Sequence, residues 1–438
     1  MVFIDQTLAK ETKMGGDGKR RPTALVFMNF DPSPFDGNFS REFTPREVAS
    51  VLCKRREFAW LDSSVEGKGG LSILASEPSL TLEGEASETH LLEAELKARA
   101  HQSGFENLSK GAAIGYFRFD GSFRFAFYDS LLIHSEDGWN QSAHIPSLKA
   151  QSLEDQTARS GGQRVEFHSE MNPEEYQHLV RRAQEYIAAG DIYQVCLAHR
   201  FSAEFDGNPW PLYLALRESS PAPHSAYLQL GDETILSSSP ECFLKMKGRR
   251  ISTRPIKGTR PRQQENSADE REALELQSSP KEKAELIMIT DLERNDLGSV
   301  CEFGSVQTPG LLELERYAQV FHLVSTIEGT LRKEVSHVAA VTACFPGGSI
   351  SGAPKKRALE IIRELEISPR NLFTGAIGYF GYNGESQFNI AIRTVLIRNG
   401  RAEFHVGAGI TADSDPPLEW EETLHKAAGI LMAAQIVK

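Results

Sequence analysis

The chain has 438 residues, 40% of them hydrophobic and 25% charged, a balance that allows a large buried core and excludes collagen-like and disordered classes. Its 48 basic and 60 acidic residues leave a net charge of −12, so there is no global positive field to hold nucleic acid or anionic lipid. No apolar stretch approaches the roughly 20 residues a membrane helix needs, and the polar N-terminus lacks the apolar centre of a secretory signal, which predicts a cytoplasmic protein with no membrane partner. The five cysteines (Cys53, Cys196, Cys242, Cys301 and Cys344) are widely spaced without a CxxC pair, so neither a disulfide framework nor a structural zinc site is expected.

In chain order, residues 1–22 read as a flexible tail, 23–164 as a β-rich N-terminal region and 165–438 as a larger C-terminal region, the two regions forming one compact unit. Within the first, GAAIGYFRFDGSFRFAFYDS has short aromatic runs separated by glycines, the pattern of antiparallel strands. The polar stretch from Ser135 to Arg164 reads as a linker. A helix then opens with Asn172 as cap, Pro173 first and Glu175 three residues on, and Gly190 stops it. Strands are predicted at Tyr193 to Arg200, Ser225 to Leu230, Thr234 to Ser237, Gly375 to Tyr382, Phe388 to Ile397 and Arg401 to Val406. Helices are predicted from Pro280 to about Leu292, Pro354 to Glu366 and Pro417 onward, with the charged run Asp291 to Gly298 as a terminating cluster. The class is α+β with extensive antiparallel sheet.

Two of these helices present carboxylate pairs three residues apart, Glu282 with Glu285 and Glu419 with Glu422, which puts each pair on one helical face. Four carboxylates facing one cleft would bind a hard cation, and magnesium suits because it uses few carboxylates and leaves room for an anionic substrate. The same spacing also fits solvated faces, with Glu282 as a capping-box partner of Ser279. PGGSISGAPKK, from Pro346 to Lys356, is a glycine-rich turn entering a helix, which fits an anion site or a tight turn with Ser351 as cap. Ala353 stands where a phosphate-binding loop would need its lysine, so a nucleotide is disfavoured. Lys257 in RPIKGTRPR fits an ordinary turn residue or, held among Arg254 and Arg260, a nucleophilic amine, and Glu241 in SSSPEC is a candidate general acid.

Taken together, GDIYQVCLAHRF, SPECF, RPIKGTRPR, KEKAELIMITDLERNDLG, HLVSTIEGTL, FPGGSISGAPKKRALEII, GAIGYF, FNIAIRT, GAGITADS and EWEETLHKA resemble, in order, the chorismate-utilising enzyme family. The resemblance implies two face-to-face antiparallel sheets flanked by helices, with 165–438 as the chorismate-binding catalytic region. It implies a Mg2+ ion held by Glu285 and Glu422, with Glu282 and Glu419 as water-mediated partners. Arg393, Lys426 and the backbone of Gly407, Ala408 and Gly409 would hold the substrate's carboxylates, and Ser349, Gly258, Thr259 and His322 would complete the pocket. It also places Leu61, Asp62 and Ser63 where some members hold tryptophan.

Members that add water carry a lysine base where this chain has Gln194, which cannot take a proton at neutral pH. Members that aminate C2 resemble PIAGT where this chain has PIKGT, so Lys257 implies amination at C4 through a covalent lysine intermediate, with C2 amination as the alternative. Glu241 would protonate the departing hydroxyl. Ammonia would come from a separate glutamine amidotransferase subunit, since no cysteine sits in a nucleophile-elbow setting.

Overall fold

Short runs of aromatic and β-branched residues fold into two eleven-stranded antiparallel sheets in a computed structural model that describes residues 24–26, 43–65, 70–100, 108–141, 164–263, 265–317 and 320–436. The tail expected over residues 1–22 lies outside the described residues, as does most of the linker. In the first sheet the order is Ala24–Val26, Leu80–Gly84, Phe123–Tyr128, Ala112–Phe117, Ala376–Gly381, Glu385–Ile390, Cys242–Lys247, Arg250–Arg254, Val320–Thr330 and Ile256–Pro261, with Gln307–Arg316 also on Val320–Thr330. In the second it is Gly352–Ala353, Gln194–Glu204, Arg401–Ile410, Thr394–Arg398, Glu233–Ser239, His224–Leu230, Ala59–Asp62, Ser72–Ala75, Leu132–Ser135 and Gly138–Gln141, with His168–Ser169 on Gln194–Glu204. Strands from before residue 142 enter both: Ala112–Phe117 pairs with Ala376–Gly381, and Ala59–Asp62 pairs with His224–Leu230.

The sheets meet face to face. Ile114 and Ile377 of the first pack with Ile73, Leu228, Ile235 and Leu396 of the second in one buried cluster, as the alternation of apolar side chains along each strand requires. A polar clamp crosses this core: Glu233 of the second sheet, 3% exposed, accepts from Arg118 Nη2 at 2.8 Å and from the Tyr116 hydroxyl of the first. The outer faces are covered by helices. Pro45–Leu52, Pro209–Ser219 and Pro416–Ile436 pack on the second sheet, and Thr89–Arg99, Pro280–Val300 and His337–Cys344 on the first. Among the described residues no helix is long and apolar enough to cross a membrane.

Four expectations change. The strand expected from Phe388 to Ile397 is two strands: Glu385–Ile390 belongs to the first sheet and Thr394–Arg398 to the second, and the chain crosses between them at Ala391 to Arg393. The helix from Pro280 continues to Val300, because Leu297 and Val300 reach the buried cluster under the first sheet and outweigh the charged run. Ser351 does not cap the next helix: Pro354 holds the cap position of Lys355–Leu365, and Ser351 Oγ donates to Gly347 O at 2.9 Å. The expected linker begins later, since Gly138–Gln141 is a strand paired with Leu132–Ser135.

Candidate active site

The first carboxylate pair lies on the helix Pro280–Val300. Ser279 Oγ accepts from the Glu282 amide at 3.3 Å and Pro280 takes the first position, so the cap fixes where the helix begins and which face carries Glu282 and Glu285. The Glu282 side chain does not close a capping box; its carboxylate lies 3.7 Å from Arg260 Nη1 and against Gly258. Gly258 has φ +73°, and a Cβ there would fall 2.6 Å from Leu276 and 3.0 Å from the Glu282 carboxylate, so the break in strand register beside Lys257 demands glycine.

The second pair lies on Pro416–Ile436. Ser414 Oγ donates to Glu419 Oε1 at 2.7 Å, and Lys426 Nζ sits 2.7 Å from Glu422 Oε1, one helical turn away. The same ammonium donates to Gly407 O at 2.8 Å. Gly407, Ala408 and Gly409 are strand residues paired with Ala198, Leu197 and Cys196. Ala408 turns its methyl into the core with Tyr176 and Val195, leaving only backbone on the other side. A Cβ on Gly409 would fall 2.4 Å from Gln194 Nε2 and 3.6 Å from Lys257 Nζ, so this strand, Gln194 and Lys257 converge.

Lys257 Nζ stands 4.0 Å from Glu285 Oε2. The arginines expected to surround it are engaged elsewhere, Arg254 with Glu315 and Arg260 with Glu282, so the charges that face Lys257 are carboxylates. Burial pushes the Glu285 carboxyl above the usual range, Lys257 and Lys281 oppose this, and Glu282 and Glu422 add to it. Burial alone would raise Glu422 too, but Lys426, Lys257 and Lys281 hold it below the usual range. Glu419 is raised by burial despite its Ser414 bond. Glu285 and Glu422, on different helices, therefore feel each other's charge.

Glu241 is 6% exposed, and burial pushes its carboxyl up against the opposing effects of Ser349 and Lys257. Ser349, on the turn Gly348–Ile350, neighbours this carboxyl, yet neither Ser349 Oγ nor Glu241 Oε1 completes a hydrogen bond of good geometry. Gln194 Oε1 is likewise buried and, among the described residues, has no hydrogen-bond partner. Arg393 has φ 49° at the crossing between sheets, and among the described residues no carboxylate pairs with it. Burial lowers its pKa, because a guanidinium out of water is costly to keep charged. His322 is next to it: burial, with Arg393 second, brings the imidazole down to about 4, and its Nδ1 lies 3.0 Å from Thr259 Oγ1.

Among the described residues no three or more Asp, Glu, His or Cys close on one point as a finished metal cage. The glutamates come as two pairs. All-oxygen donors from two mutually repelling helices fit Mg2+, which takes one or two protein carboxylates and completes its shell with water and substrate. A small cavity between the sheets, lined by Leu61, Asp62, His224 and Tyr379 among others, contains none of these residues, and its Asp62 is ion-paired with Arg217 at 2.8 Å.

One buried acid carries no sequence signal. Glu293, 5% exposed and two turns beyond Glu285 on the same helix, accepts from Thr253 Oγ1 at 2.8 Å; burial and then Glu241 push it up to about 8. In the sequence it is one charge among several in DLERNDLG.

Among known proteins, the chain is 41% identical over 292 residues to aminodeoxychorismate synthase component 1 of Bacillus subtilis, a match covering 67% of this chain and 61% of that protein. It is 44% identical over 280 residues to anthranilate synthase component 1 of Thermus thermophilus, covering 64% of this chain and 60% of that one. The match thus spans about three fifths of the length of these curated relatives. The crystal structure of anthranilate synthase component I from Streptococcus pneumoniae superposes with a TM-score of 0.72 at 30% identity, covering 82% of this chain and 92% of that one. The menaquinone-specific isochorismate synthase of Escherichia coli, at 18% identity and a TM-score of 0.74, shares the fold. The match to the family description spans residues 57–432, and the chain belongs to the chorismate binding enzyme family.

Proposed function

We propose that the chain is the synthase component of an aminodeoxychorismate synthase, converting chorismate and ammonia to 4-amino-4-deoxychorismate, the precursor of 4-aminobenzoate for folate. The observation that carries this reading is Lys257, whose amine reaches the cleft 4.0 Å from Glu285 and beside Gly409. The matches to aminodeoxychorismate synthase component 1 of Bacillus subtilis and of Escherichia coli, the latter 43% identical over 302 residues, support it.

The buried Arg393 guanidinium and the Lys426 ammonium would take the substrate's two carboxylates, with His322 and Thr259 against the ring. The Lys257 amine would attack C2, the ring double bonds would shift toward C4, and Glu241, a buried acid whose pKa is held above the usual carboxylate range, would protonate the C4 hydroxyl, which leaves as water. Ammonia would then bond to C4, both ring double bonds would shift back and the C2–N bond to Lys257 would break with its electrons on nitrogen, which restores the free lysine. Glu285 and Glu422 would hold Mg2+ directly, with Glu282 and Glu419 through water, and the bound ion would supply positive charge to the substrate carboxylate and to these glutamates.

Ammonia would be delivered by a separate glutamine amidotransferase. All five cysteines are buried, and burial pushes the Cys53 and Cys301 thiols up to about 11 and Cys242 to about 12, the reverse of an activated thiolate. The relatives' designation as component 1 supports a second component.

Amination at C2 is the second reading, favoured by the 44% identity to an anthranilate synthase component 1. Incubation with chorismate, Mg2+ and ammonium salt, followed by separation of the two aminated products, decides between them. Aminodeoxychorismate is expected, and anthranilate as the main product overturns the C4 assignment.

A further inference from the structure

We infer that Arg370 is a positioning residue that holds the three backbone segments bearing Ser349, Gly407 to Gly409 and Arg393 in register with one another. Arg370 is 3% exposed and bonds to none of the proposed catalytic, metal or substrate-binding side chains, yet all five of its N–H donors are used. Nε donates to Glu366 Oε2 at 2.8 Å and Nη2 to Glu366 Oε1 at 2.7 Å, the fork that only a guanidinium makes with a carboxylate. The remaining three bonds leave the pair.

Nη1 donates to Ile350 O at 3.1 Å, the residue after Ser349 on the turn that faces Glu241. Nη2 also donates to Cys196 O at 2.7 Å, and Glu366 Oε1 accepts from the Ala198 amide at 2.8 Å. Cys196 and Ala198 are the strand partners of Gly409 and Gly407. Nη1 donates again, at 3.1 Å, to Thr374 Oγ1. Thr374 is a β-branched residue at φ 59°, a strained conformation that persists only when its surroundings impose it. Its amide donates to Ala391 O at 2.9 Å, at the start of the crossing between sheets, two residues before Arg393 at φ 49°. The guanidinium also lies over the Phe119 ring at 4.6 Å, so the pair is closed from water. One planar cation thus sets the distances among three segments of different sequence origin.

The inference rests on the cleft being the site of chorismate chemistry, and the test separates the two. In Arg370→Lys the charge that neutralises Glu366 remains while the fork is lost, so this is the variant expected to keep the fold while loosening the clamp. Chorismate consumption, whichever product forms, is expected to fall about 10²-fold in kcat/KM, the loss typical of site atoms displaced by about 1 Å. Hydrogen exchange is expected to quicken in both 347–353 and 390–394. A folded Arg370→Lys protein with kcat and KM within twofold of the parent and with unchanged exchange in both segments overturns the inference, and the exchange reading holds even if the parent consumes no chorismate, a result that sinks only the proposed function. Should Arg370→Lys fail to fold, Thr374→Gly removes one arm and relieves the strain. A purely structural clamp then gives unchanged kinetics, which overturns the inference; a severalfold rise in KM for chorismate at little-changed kcat, from a loosened Arg393, supports it.

Discussion

Lys257 Nζ and Glu285 Oε2 lie 4.0 Å apart across the cleft between the strand Ile256–Pro261 and the helix Pro280–Val300. The proposed nucleophile and a proposed metal ligand are therefore neighbours, and what is done to one is felt by the other.

Glu285 is already raised by burial and by the charge of Glu422. Without a cation the two carboxylates repel each other and the substrate. Glu285→Gln and Glu422→Gln are each expected to cut Mg2+-dependent chorismate consumption by more than about 100-fold, at least what outer-shell changes at metal sites cost, while circular dichroism stays that of the parent. Full turnover in excess chelator contradicts the metal assignment.

The isolated chain is expected to use ammonium salts but not glutamine, because none of its five buried cysteines is an accessible thiolate. Its rate should climb with pH as free ammonia increases. Glutamine-dependent turnover by the purified chain alone contradicts this.

Glu293 gives a stability prediction whose sign follows from its raised value. The folded chain keeps this carboxyl protonated up to about pH 8, whereas the unfolded chain ionises it near 4.5. Its contribution is therefore fully present below pH 4.5 and is lost as pH rises to about 8. Glu293→Gln, which keeps an acceptor for Thr253, should flatten the fall in Tm across that window. An unchanged slope means that Glu293 is ionised in the fold.

What is legible in the sequence is what is local. The capping box of Asn172 and Glu175, with Pro173 first, marks the start of Pro173–Ala188 because all its partners lie within one turn. The two carboxylate pairs are legible for the same reason, since i to i+3 spacing alone puts them on one face. The crossing at Arg393 is not: FNIAIRTVLI is a continuous strand-like run, and bonds to distant residues, among them Thr374 to Ala391, Ala391 to Gly375 and Ser238 to Arg393, turn it from one sheet to the other. The pairing of Arg254 and Arg260 with Glu315 and Glu282 is equally invisible, because partners far along the chain decide it, and it replaces the cationic surroundings expected for Lys257 with carboxylates. Arg370 escapes notice in SPRNLF because its three carbonyl and hydroxyl partners come from three places in the chain.

Intact-mass analysis of the parent and Lys257→Ala proteins after exposure to chorismate and Mg2+, with the aminated products quantified from the same samples, bears most directly on the nucleophile. The parent should carry a chorismate-derived adduct on Lys257 and make 4-amino-4-deoxychorismate. Lys257→Ala should show no adduct, lose most C4 product and direct any residual amination to C2. Undiminished C4 amination by Lys257→Ala, with no adduct on the parent, contradicts covalent catalysis by this lysine.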